Sequence, residues 1–109
     1  MASASPNTTV TATTFSGAQT LFSVAGGDAG CKVYTVHNRD TAVSVRVAVR
    51  LWQPGAPGAA GAWLVNGADG GAVIPPGQTI PFAAGAGQIG LVQVWTESGT
   101  PIIDGFVEA

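Results

Sequence analysis

A chain of 109 residues fits a single domain with room for one core. Its apolar fraction of 46% is ordinary, but 16 Gly and 7 Pro make it rich in turns and poor in helix-forming stretches. Charged side chains are only 9% of residues, four basic and six acidic, whereas a soluble domain carries about 25%.

Those proportions narrow the function classes. Lys32, Arg39, Arg46 and Arg50 are the whole basic complement and form no patch for holding phosphates, which argues against nucleic acid as a partner. Cys31 stands alone, so there is no intrachain disulfide framework and no zinc-type Cys and His cluster. A surface this poor in charge points to one that is covered in the working state. Solvation by Ser, Thr, Gln and Asn is the alternative.

In chain order, residues 1–9 are small and hydroxylated and read as a flexible N-terminal arm, with a single β-sandwich domain over 10–109. The start has neither a basic n-region nor an apolar h-region, and no run approaches the roughly 20 apolar residues that span a bilayer, so no membrane partner is expected. β-Branched residues over 8–15 and again over 19–24 suggest two short strands, the second ended by Gly26-Gly27-Asp28-Ala29-Gly30. Residues 32–38 give another.

The clearest periodicity follows. Val43, Val45, Val47, Val49 and Leu51 alternate with Ser44, Arg46, Ala48, Arg50 and Trp52, placing branched apolar residues on one face and both arginines on the other. With Asn38-Arg39-Asp40-Thr41 as turn chemistry, residues 32–38 and 42–52 read as an antiparallel hairpin. Residues 53–71 read as a long Gly-Ala-Pro excursion holding one short strand at Trp63-Leu64-Val65. Pro75-Pro76-Gly77-Gln78 is a turn, and residues 79–83 resume as a strand that Pro81 assigns to an edge. Strands at 89–96 and 101–107, joined by Glu97-Ser98-Gly99-Thr100, close the chain. The expected fold is all-β: an antiparallel sandwich of about eight short strands, jelly-roll or immunoglobulin-like.

No constellation of residues points to catalysis. His37, the only histidine, could be joined to Asp40 and Ser44, but Asp40 belongs to a turn motif and Ser44 to the alternating strand, so His37 reads as a hydrogen-bonding residue at a strand end. The acids flank turns and tails, no loop gathers the oxygen ligands of a calcium site, and the glycine runs lack the ending of a phosphate loop. No catalytic residue, metal ligand or cofactor is expected.

The candidate interface residues are six. Arg46 and Arg50 lie two strand repeats apart, as do Asp104 and Glu108, so the four could pair between neighbouring strands or across subunits, or simply be solvated. Trp52 and Trp63 flank the excursion, where an aromatic can fill the core, anchor a subunit contact or stack on a sugar. Trp95 alternates with Leu91 and Gln93 and reads as core.

The order VYTVHNRDTAVSVRVAVRLW, then AVIPPGQTIPF, then IGLVQVWTESGTPIIDGFVEA resembles that of small tailed-phage virion proteins with a sandwich fold. The resemblance runs from Lys32 to the C-terminus, and the chain departs from it at residues 54–71. It implies a non-enzymatic structural role: a capsid decoration or cement protein contacting the major capsid protein or other virion subunits, homo-oligomeric, and located in a virion assembled in the host cytoplasm. A tail, neck or fibre-base subunit is the alternative, and a carbohydrate-binding module the third. The resemblance carries over no site residue.

Overall fold

The computed structural model describes residues 2–3, 8–23, 32–53, 56–84 and 88–108, with the side chains of 2, 3, 57, 58 and 108 outside that description. Ten strands follow in order: β1 (Ala2–Ser3), β2 (Thr8–Thr9), β3 (Gln19–Ser23), β4 (Val33–Asn38), β5 (Val45–Gln53), β6 (Ala56–Val65), β7 (Ala72–Ile74), β8 (Thr79–Ala83), β9 (Ile89–Trp95) and β10 (Ile102–Glu108). Among the described residues one 3-10 turn, Gly67–Asp69, interrupts them.

Two antiparallel sheets face each other. The first runs β1-β10-β4-β8 with β2 also on β10, and the second runs β3-β9-β5-β6 with β7 also on β5. β1 and β2 line up along one edge of β10, as β6 and β7 do along β5, so the ten strands fill eight lanes. The pairs β2 with β10, β3 with β9, β4 with β8, and β5 with β6 and β7 nest inside one another and fall in alternate sheets. That nesting is the connectivity of a jelly roll, one of the two sandwich types expected.

Period-two alternation supplies the core between the sheets. Val45, Val47 and Val49 of β5 are fully buried, and in register with them are Ile74, Val94, Val92 and Val65. From the first sheet come Tyr34, Val36, Phe82 and Ile103. Tyr34 meets Phe22 at a ring separation of 5.0 Å. It also lies across Gly105, where a Cβ would overlap its hydroxyl, so β10 has no side chain at the one position the tyrosine occupies.

The structure corrects several expectations. β4 and β5 are not a hairpin, because they belong to different sheets. The turn chemistry is present but builds a corner. Asn38, fully buried, donates from Nδ2 to the carbonyls of Val43 (2.9 Å) and Ile74 (3.0 Å) and accepts from the Asp40 amide at Oδ1 (3.0 Å). Asp40 Oδ2 then accepts from the amides of Ala42 (2.9 Å) and Val43 (2.7 Å). The closing pair β9 and β10 likewise crosses between sheets, over buried Thr96, whose amide donates to Ala12 O (2.9 Å) and whose hydroxyl lies 3.0 Å from Ser44 O and 2.8 Å from Ser98 O.

The expected excursion at 53–71 contains the ten-residue strand β6 instead of a short one. Pairing with β5 overrides the weak strand preference of Ala and Gly, and register shifts opposite Arg50 and Trp52 absorb the extra residues. In the N-terminal segment, Ala2 and Ser3 pair with Val107 and Phe106, and Thr8 and Thr9 with Ile103 and Ile102, so these residues edge the first sheet. Of the strand expected over 8–15 only Thr8–Thr9 forms. Cys31 and the glycine cluster at 26–30 lie outside the described residues.

Candidate interface

The outer face of the second sheet is covered in part by its own chain, around Trp95, while Val73 on the edge strand β7 stays 44% exposed. In register across it stand Val73, Arg46 and Trp95, then Ala48 and Gln93, then Trp63, Arg50 and Leu91. Phe15, from the loop between β2 and β3, lies over this face, 5.3 Å from the Trp95 ring and 5.6 Å from the Trp63 ring in an edge-on contact. Gly67 backs directly onto the Phe15 ring, leaving no room for a Cβ. Gly71, at φ 67°, places its backbone between the Val47 carbonyl and Trp95. Trp95 is therefore buried as expected, at 4% exposure, but under Phe15 on the outside of the sheet rather than in the core between sheets.

Both arginines are tied into this cover. Arg46 donates from Nη1 to Gly70 O (2.8 Å) and pairs through Nη2 with Glu97 (2.7 Å). Arg50 donates from Nε to Gly61 O (3.1 Å), and its guanidinium carbon sits 4.8 Å from the Trp63 ring centre. Trp63 thus has a cation on its ring and Phe15 at its side, an arrangement that does not favour stacking on a sugar. Trp52 lies against Gly90, where a Cβ would enter its six-membered ring, and its Nε1 is shut off from solvent with no hydrogen-bond partner.

Asp104 and Glu108 are elsewhere. Both belong to β10 in the first sheet, while Arg46 and Arg50 belong to β5 in the second, so these strands are not neighbours and the four charges are not brought together within the chain. Asp104 is paired with Arg39 at 3.5 Å and stands in register with His37 and, beyond it, Thr79. His37 Nδ1 is 2.7 Å from Thr79 Oγ1, a strand-end hydrogen bond. Sequence reasoning missed Phe15 as the organiser of the second sheet's cover. The available signal was a lone aromatic immediately before the Ser16-Gly17 turn.

The outer face of the first sheet is open. Ile102 is 42% exposed and Phe106 36%, and Pro81 and Ala83 on β8 are exposed beside half-buried Val33 and Thr35. Phe106, Thr35 and Pro81 form one cross-strand row, and Asp104, His37 and Thr79 the next.

The edges share one property. β1, β2, β3, β6, β7 and β8 carry no Asp, Glu, Lys or Arg, and the strand-borne charges sit on the central β5 and β10. Proteins that stay apart in solution usually charge their edge strands. Here the backbone blunts them: β3 is bulged between Thr20 and Phe22, β6 has three register shifts, and β8 has Pro81.

Among the described residues no three His, Cys, Asp or Glu side chains gather closely enough for a metal ion. Among those residues no helix is long and apolar enough to cross a membrane. The chain matches no protein-family model, no curated protein and no solved structure.

Proposed function

We propose that this chain is a non-enzymatic structural subunit of a virion, a capsid decoration or cement protein that braces a shell through contacts with the major capsid protein or its neighbours. The observation that carries this reading is the distribution of charge: uncharged edges, exposed Ile102 and Phe106 on the outer face of the first sheet, and Arg46 and Arg50 held by contacts within the subunit. A surface of that kind is suited to lying against protein over a broad, flat area. The jelly roll hosts many functions, viral shells among them, and adds only background support.

The test is to mix the purified chain with particles that lack it. Saturable binding, with a raised temperature of shell rupture, is the expected result. A chain that never associates with particles and is not found in purified virions rules the reading out. Recovery at the tail, neck or fibre base would assign it to that part of the virion instead.

A further inference from the structure

The outer face of the first sheet exposes two apolar side chains on one central strand, and they point to a surface for self-association. We propose that the outer face of the first sheet receives a second copy of this chain, packed face to face about a two-fold axis parallel to the strands. This deepens the reading above and rests on its premise that low charge marks a covered surface, but it requires no virion.

Exposure comes first. On the second sheet Trp95 is 4% exposed beneath Phe15 and Val73 stands out alone at 44% on the edge strand β7, whereas Ile102 and Phe106, 42% and 36% exposed, lie two strand repeats apart on one face of the central strand β10. Asp104 stands between them, and around them the surface is Thr35, His37, Pro81 and Ala83, without a lysine or arginine on β10, β4 or β8. Extension through the edges is a poor route. Ala84 donates its amide to Lys32 O (2.7 Å), so by alternation the Pro81 position points away from β4, toward the open edge, where it offers no donor.

Charge placement fits self-packing. An axis between β10 and β4 carries Asp104 over the second copy's His37 and Phe106 over the second copy's Thr35, because these residues are cross-strand neighbours. A carboxylate then meets an imidazole, an aromatic ring meets a threonine, and Ile102 meets Arg39, so among these residues no like charges oppose. Asp104 brings its own counter-charge in Arg39.

Area sets the strength. Four lanes about 4.8 Å apart and about six residues long, at about 3.4 Å per residue, give a footprint of about 400 Å² per copy. The pair therefore buries about 800 Å², below the roughly 1,200 Å² at which stable interfaces begin. The dimer is accordingly weak, with a dissociation constant on the order of 10⁻⁵ to 10⁻³ M.

Sedimentation velocity of the full chain from about 10 µM to about 1 mM covers that range. The wild type should shift from monomer toward dimer. Phe106→Lys and Ile102→Lys, both at exposed positions that the core does not need, should weaken the dimer at least about tenfold, while Val73→Lys on the opposite face should leave it unchanged. Circular dichroism melts establish that each variant is folded. A wild type monomeric throughout overturns the proposal, as does a folded Phe106→Lys chain that dimerises normally or a Val73→Lys chain that alone fails to. Particle binding is measured separately, so loss of one result leaves the other standing.

Discussion

Asn38 and Ile74 are joined across the corner of the sandwich, the side-chain amide of one donating to the backbone carbonyl of the other at 3.0 Å, 36 positions along the chain. The same amide reaches Val43 O, and its oxygen takes the Asp40 amide. One buried side chain thereby fixes where β4 leaves the first sheet, where β5 enters the second, and where β7 ends. Asn38→Ala would strand two carbonyls and an amide in a water-poor corner. At about 1–3 kcal/mol for each buried group left unsatisfied, partly relieved by entering water, the expected loss is about 2–4 kcal/mol. Urea unfolding measures it, and a change under about 0.5 kcal/mol contradicts the corner's importance.

The contact between Tyr34 and Gly105 makes a second, sharper prediction. A methyl at Gly105 overlaps the tyrosine hydroxyl on a central strand, where neither side can move far. Gly105→Ala should cost about 1–3 kcal/mol, the usual effect of overpacking a dense core. Removing the obstructing oxygen with Tyr34→Phe should restore part of that loss, so the two substitutions are coupled rather than additive. Additive losses in a double-mutant cycle would show that the strain lies somewhere other than at the hydroxyl.

How much of this was legible beforehand depended on the kind of signal. Alternation in residues 43–51 is a direct record of a strand with one buried face, and β5 has the expected facing. The Asn38 and Asp40 turn chemistry was equally visible, but hydrogen bonds that turn a chain back beside itself also serve to turn it into the opposite sheet. Only the long-range bond to Ile74 distinguishes the two outcomes. β6 was illegible for a different reason. Ala and Gly have little strand preference of their own, and its order comes from β5 alongside. Whether Arg46 and Arg50 meet Asp104 and Glu108 within the chain was illegible at the same level, since matching spacings along two strands do not reveal which sheet each strand joins.

Arg46 and Glu97 separate two sources of stability. Glu97 is 72% exposed, so its ion pair with Arg46 is screened and Glu97→Gln should change stability by less than about 0.5 kcal/mol. Arg46 also holds the Gly70 carbonyl, and its side chain is only 28% exposed. Arg46→Ala should therefore cost about 1–2 kcal/mol, more than the ion pair alone can account for. Equal losses for the two variants would mean that the carbonyl bond contributes nothing.

Phe15 offers the most direct optical readout, because two tryptophans lie against it. Phe15→Ala removes the ring that covers Trp95 and leaves a gap facing Gly67, which water can enter from the surface. The ring is half-buried, so the loss should fall below the about 3–5 kcal/mol of a fully buried phenylalanine, near about 2 kcal/mol. Tryptophan emission of the folded variant should move to longer wavelength and become more open to quenching by iodide. Gly67→Ala pushes on the same ring from the other side and should destabilise too, but without admitting iodide to the same extent. If Phe15→Ala leaves both emission and quenching as in the wild type, the cover over the second sheet is not what keeps Trp95 dry. The contrast between covered Trp95 and open Ile102 and Phe106 would then lose its physical basis.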